Sequence, residues 1–256
     1  MQIITCFKVV PEEQDIEVNS SGSLSFERAK LTISAYDLNA IEVGAQLAEA
    51  HGANLVGLSA GAANIDESKL KKNALSRGPE SLYLVADNGL ADMDTYQTAA
   101  VLQAAIAKIG VYDLVLCGEG SADLYAQQVG VQLGQMLNVP TINSVSKVTL
   151  EGQHVIVERT LEDEVETLEI ALPAVISVTS DINLPRIPSM KQILAAGKKE
   201  STTWTGADIG LSSPVKSIET IETKAPKQTD RKQEIVEGDS DEAVQKFLEK
   251  IAKELK

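Results

Sequence analysis

Between Ile3 and Pro140, short apolar runs alternate with helix-length amphipathic stretches, and no other feature restricts the fold as strongly. Residues 3–7, 55–59, 81–85 and 114–117 are apolar and bounded by turn residues, so each reads as a buried strand. Helices are predicted over 38–51, 67–77 and 95–108, closed by Gly52, Gly78-Pro79 and Gly110, with Asp94 capping the third. Strands separated by helices of this length build βαβ units, which lie parallel and carry helices on both faces. The predicted fold class is therefore α/β, a mostly parallel, doubly wound sheet. In such sheets ligands lie beyond the carboxyl ends of the strands, where the strand order reverses. The turns after Phe7, Ser59 and Cys117 all fall on that edge.

Residues 112–139 concentrate the signal. A strand ending at Cys117 feeds the small-residue turn Gly118-Glu119-Gly120-Ser121-Ala122-Asp123. From Leu124 the pattern turns helical, with Val129, Leu133, Met136 and Leu137 largely on one face. A helix start offers free N–H groups that suit a phosphate. An ordinary βα connection looks the same at this level.

After Pro140 the pattern changes. Residues 145–150 and 155–160 are strand-like around a Glu151-Gly152-Gln153 turn, and 167–172 and 174–179 follow as further strands. They form an antiparallel addition to the parallel sheet. From Glu200 to Gly238 periodicity fades, and Ser, Thr, Lys and Pro dominate. A stretch that long reads as an extended arm. It leads to a helix over 241–255, with Asp239 and Glu242 spaced as a capping box. Ala243, Phe247, Leu248, Ile251 and Leu255 form its apolar stripe, to be buried on the same chain or on a partner. The expected division is an α/β domain over 1–199 and an arm plus helix over 200–256.

The chain carries a net charge of −14 with a pI near 4.6, which argues against nonspecific nucleic-acid binding. No apolar run approaches the roughly 18 residues of a membrane span. The opening residues, MQIITCFKVV, lack a basic leader and a cleavage site, so a cytoplasmic location is expected. Cys6 and Cys117 read as small buried hydrophobes, with neither a disulfide nor a metal site implied. Histidines 51 and 154 read as surface residues, which leaves little material for acid–base catalysis.

The run VERTLEDEVETL (157–168), followed by LPAVI (172–176), closely resembles the signature of electron transfer flavoprotein β-subunits. Ser177 is a minor departure from that pattern. Lys8, SAYDLNAIE (34–42), SRGP (76–79), the turn at 118–130 and DINLPRIPSMKQILAAGKK (181–199) agree with the family in order and spacing. ITCFKVVPEEQDI (4–16) and DLYAQQVG (123–130) resemble its Fix-type branch, associated with anaerobic carnitine or fatty-acid metabolism.

The resemblance implies an adenine nucleotide α-hydrolase-like fold and a non-catalytic electron-carrier subunit. Such a subunit pairs with an α-subunit that carries FAD. It holds an adenine nucleotide itself, AMP in ordinary members and a second FAD in bifurcating ones. By the same resemblance, Cys6, Ser34, Ala35, Tyr36, Asp37 and Ala60 surround the adenosine. Gly118 to Val129, including Gly120 and Ser121, hold the phosphate, with Asp123, Gln127 and Gln128 as the contributing side chains. Residues 187–197 correspond to a recognition loop for an acyl-CoA dehydrogenase-like or quinone-linked partner, with Met190 as anchor beside Ile187 and Ile193. Glu166 is placed to face the flavin domain of the α-subunit. Plainer readings stand beside these: Gln127 and Gln128 as a solvated helix face, Asp123 as an N-cap, and Tyr36 and Met190 as core. Bifurcating members carry Gly-Asp-Thr directly after the aspartate, where this chain has Leu124-Tyr125-Ala126, so AMP and FAD both remain open. The alternative of a different class is a stand-alone nucleotide-binding stress or signalling module that forms a homodimer.

Overall fold

A computed structural model describes residues 1–211, 216, 218–227 and 233–254. The chain divides into two compact units: Met1–Glu17 with Ser25–Thr223, and Val18–Leu24 with Lys224–Lys256.

The elements of the larger unit run β1 (Gln2–Cys6), β2 (Val9–Pro11), then β3 (Glu17–Val18) and β4 (Leu24–Ser25) at its border, β5 (Leu31–Ile33) and α1 (Ala35–His51). Next come β6 (Asn54–Gly61), α2 (Ser68–Leu75), β7 (Ser81–Ala86), α3 (Thr95–Ile109), β8 (Leu114–Gly118) and α4 (Val129–Leu137). β9 (Thr141–Glu151), β10 (His154–Thr160), β11 (Val165–Ala171), β12 (Ala174–Val178), α5 (Met190–Ala196) and β13 (Glu200–Trp204) complete it. One sheet has the order β11-β10-β9-β12-β8-β1-β6-β7-β13. From β12 to β13 every pairing is parallel, and β9, β10 and β11 pair antiparallel. This is the expected α/β class.

Alternate residues of the central strands feed opposite layers. Ile3, Leu114 and Leu116 pack with α1 residues Ala40, Val43 and Leu47. Their neighbours Ile4, Val115 and Cys117 pack with Val101, Ala105 and Ile106 of α3 and Leu133 of α4. Strands buried on both faces have no polar side, which is why they read as continuous apolar runs. From β1 the chain proceeds to β6 and β7 on one side, then crosses so that β8 lies on the other. The order reverses between β1 and β8, and their carboxyl ends flank the crevice.

Several elements depart from the predicted bounds. α1 starts at Ala35 and not at Leu38, because the Ser34 carbonyl accepts from the N–H groups of Asp37 and Leu38. α4 starts at Val129, five residues later than predicted from Leu124. Tyr125 (φ 45°) and Gln127 (φ 56°) are left-handed there, which a helix does not admit. Asp123 is therefore not the N-cap of α4; Gln128 takes that position. The segment after Glu200 opens with β13, parallel to β7, where an arm was predicted. As an edge strand β13 exposes Glu200 to Thr203, so no alternation marks it, and Trp204 anchors it by stacking on Tyr83 at 4.9 Å.

In the smaller unit, Ser23 bridges Lys224, and the Ala225 N–H donates to the Gly22 carbonyl at 2.9 Å. It ends in α6 (Asp241–Glu254), where Lys250 pairs with Glu234 at 2.7 Å. The cap is Ser240, whose Oγ accepts from the Ala243 N–H at 3.3 Å, in place of the predicted Asp239. Val244, Phe247 and Leu248 are each about half exposed, and Leu255 lies outside the described residues.

Candidate functional site

Asp37 organises the carboxyl edge. It lies in the first turn of α1, almost fully buried, and its two oxygens reach opposite sides of the crevice. Oδ2 accepts from the Lys8 N–H just past β1 at 2.7 Å, and Oδ1 from the Gly118 N–H at the end of β8 at 3.3 Å. Three residues earlier, at the N-cap of α1, Ser34 donates its N–H to the Lys8 carbonyl at 3.0 Å, and its Oγ accepts from the Ala122 N–H at 3.2 Å. Three segments distant in sequence are thus tied together at the strand-order reversal. Burial pushes the Asp37 carboxyl up to about 7, against the pull of the Lys8 and Gly118 N–H groups.

The turn after β8 rises over this base. The Glu119 N–H donates to the Val178 carbonyl at 2.9 Å and continues the sheet edge. Asp123 Oδ1 accepts from Ser121 Oγ at 2.5 Å and from the Leu124 N–H at 2.9 Å, while Oδ2 meets the Lys8 ammonium at 2.6 Å. Burial opposes ionisation of Asp123, but these donors and the Lys8 charge outweigh it and hold the carboxyl below its ordinary range. Tyr125 turns back so that its ring lies 4.9 Å from that of Tyr36. A Cβ at Gly120 would stand 2.6 Å from the Tyr125 ring, so this fold of the turn needs glycine there.

Cys6, Ser34, Ala35, Tyr36, Asp37, Ala60, Gly118, Gly120, Ser121 and Asp123 therefore lie at strand ends or turns of one edge. Cys6 and Cys117 are buried and unbridged, and the hydrogen bond between them, with burial, pushes the Cys6 thiol well up. Cys6 accordingly presents backbone to the edge and no thiolate. Gln127 is exposed beside the turn. Gln128 faces α3, where its Oε1 accepts from Thr95 Oγ1 at 2.9 Å, and Val129 opens α4. Neither glutamine lies on a solvated helix face. Lys8, marked in the sequence only by its agreement with the family, is the residue that pattern reading left without a role.

The proposed docking residues stand apart from this edge. Ile187 is 92% exposed and Met190 71%, so Met190 is not core, and Ile193 is partly exposed. Their loop is fastened by Arg186, which donates Nε to Glu42 at 2.7 Å and Nη1 to Glu49 at 2.5 Å, while the Arg186 carbonyl accepts from Arg77. Glu166 lies on the β10–β11 hairpin opposite Arg159, 3.6 Å from its guanidinium.

Fold and edge together define a doubly wound α/β domain of the kind that takes ligands at a strand-order reversal. Residues 23–209 match the electron transfer flavoprotein domain. That match spans well over half of the sequence, and the chain belongs to the electron transfer flavoprotein family. No described helix is long and apolar enough to cross a membrane.

Proposed function

We propose that this chain is the β-subunit of a heterodimeric electron transfer flavoprotein, in the Fix-type branch. It holds an adenine nucleotide, AMP or FAD, and serves electron passage between redox partners and the FAD of an α-subunit. The observation that carries the reading is the joining of β1, α1 and β8 through Asp37 at the strand-order reversal, in a chain of this family. The turn after β8 suits a nucleotide phosphate: Ser121 brings a hydroxyl, and Gly118 and Gly120 let the backbone approach closely. Ser34 to Asp37, Cys6 and Ala60 then line the adenosine side, and Gln127, Gln128 and Val129 close the turn. The bound flavin supplies the redox chemistry; the residues of this chain hold, orient and screen the nucleotide. Residues 1–199 form the nucleotide-binding part in this reading, with β13 completing its sheet, and the arm and helix follow, the half-exposed face of α6 being suited to a partner.

Co-purified with its α-subunit, the protein is expected to release either one FAD plus AMP or two FAD on heating. A colourless complex that releases no adenine nucleotide overturns the reading. A stable homodimer that gains nothing from the α-subunit would favour the stand-alone module instead.

The exposed surface at Ile187 and, in α5, Met190 and Ile193 is proposed as the docking surface for an acyl-CoA dehydrogenase-like or quinone-linked partner, with Glu166 toward the α-subunit's flavin domain. Met190→Asp is expected to slow electron transfer with such a partner by about tenfold, since an apolar anchor at a contact centre is worth more than about 1 kcal/mol. The flavin absorption spectrum should be unchanged. An unaltered transfer rate would remove Met190 from the contact.

A further inference from the structure

The Lys8–Asp123 pair spans the crevice between β1 and β8, with Nζ and Oδ2 2.6 Å apart. Both side chains keep contact with solvent, at 41% and 29% exposure. Pairs this open add little to stability, so holding the fold is a weak reason for one at this position. Its surroundings suggest another. The residues that build the edge, 34–37, 60–66 and 118–128, contain no lysine or arginine, and their carboxyls are Asp37, which burial holds up to about 7, Asp66, paired with Lys71 at 2.7 Å, Glu119 and Asp123. In a chain of net charge −14, an anionic ligand at this edge would meet Glu119 and Asp123 with no lysine or arginine of these segments to offset them. Lys8 is the cation that β1 delivers there.

Asp123 is also held so that it can release Lys8 cheaply. Its second oxygen keeps Ser121 Oγ at 2.5 Å and the Leu124 N–H at 2.9 Å, both independent of Lys8. Giving up the ammonium costs the carboxylate one partner of three. Lys8 in turn is fixed by its backbone, through its N–H on Asp37 and its carbonyl on Ser34, so its side chain can swing without moving β1.

The geometry points to Lys8 as the counter-charge of the nucleotide's phosphate, with Asp123 occupying the ammonium as an internal anion that the phosphate displaces. This rests on the nucleotide reading given above and adds a residue and an exchange to it. The Nζ–Oδ2 contact opens, a phosphate oxygen takes the ammonium, and no proton or covalent bond changes hands. Asp123 thus acts through Lys8 and sets the affinity, because part of the phosphate's binding energy goes into opening the pair.

Calorimetric titration of the full chain, freed of any nucleotide it carries, separates these roles when AMP and adenosine are used side by side. Lys8→Met is expected to weaken AMP by on the order of tenfold and to leave adenosine unchanged, with Lys8→Arg restoring most of the loss. Asp123→Asn is expected to tighten AMP by about two- to fivefold, because the competing anion is gone while the Ser121 and Leu124 contacts have a similar shape to hold. Equal weakening of AMP and adenosine by Lys8→Met, or no weakening of either, rejects the counter-charge. Weaker AMP binding by Asp123→Asn rejects the exchange and makes Asp123 a direct ligand. Failure of the unaltered chain to bind AMP or adenosine removes the nucleotide reading, and this assignment with it.

Discussion

Gly118→Ala is expected to strip the adenine nucleotide from the protein and to destabilise it by about 2–4 kcal/mol. A methyl group on Gly118 would stand 2.6 Å from Asp37 Oδ1 and 2.8 and 2.9 Å from the carbonyl carbon and oxygen of Tyr36. Two of those three atoms are backbone in the first turn of α1, and the third belongs to a carboxyl already committed on both sides. None can rotate away as the tip of a flexible side chain would. Relief requires moving the start of α1 off β8, which opens the Gly118–Asp37 hydrogen bond and carries Ser34 away from Ala122. Overpacking of this kind costs about 1–3 kcal/mol, and each buried hydrogen bond lost adds about 1 kcal/mol. Denaturant unfolding should show a lower midpoint at unchanged slope, and heat extraction should find the nucleotide gone. Retention of both midpoint and nucleotide would mean that the edge is looser than its contacts imply.

What could be read from residue order, and what could not, follows from burial. β1, β6, β7 and β8 are covered on both faces, so their apolar runs are uninterrupted and the α/β class followed from them. β13 lies at the sheet edge with Glu200 to Thr203 exposed, and nothing in its composition separates it from an arm. The start of α4 was misplaced because the apolar residues Leu124, Val129 and Leu133 carry no mark of where the helix opens, and the break is made by positive φ at Tyr125 and Gln127, residues that do not signal it. At the site, resemblance singled out Ser34 to Asp37, but pattern could not assign Asp37 its position between two strands. Its partners lie 29 and 81 residues away, and only the packed sheet brings them to one carboxylate. Lys8 did leave a signal, as a single basic residue at the end of an apolar strand in an acidic chain. That signal has no meaning until β8 lies beside β1.

The second large effect is a pH dependence built into Asp37. Its folded value, about 7, lies above the ordinary 3.8, so the native protein binds this proton more tightly than the unfolded chain does. A raised carboxyl contributes stability that is complete below 3.8 and is lost as pH rises through about 7, because the unfolded state then ionises at no cost while the native state must ionise a buried group. At about 1.4 kcal/mol per unit, the interval amounts to on the order of 4 kcal/mol. Glu42 and Asp123 act in the opposite sense. Arg186 holds Glu42 below its ordinary range despite its burial, as Lys8 does for Asp123, so their contributions are present at neutral pH and fade on acidification. The whole-protein profile mixes these trends, and the clean measurement is the difference between the wild type and Asp37→Asn. Asparagine cannot ionise, and its amide meets one of the two N–H donors poorly, which costs a fixed amount at every pH. The wild type should therefore lose stability relative to Asp37→Asn by about 3–4 kcal/mol between pH 4 and pH 8, with the steepest change midway between 3.8 and about 7 and a levelling above it. Parallel profiles for the two proteins would show that the two backbone N–H groups keep Asp37 ionised in the native state despite its burial.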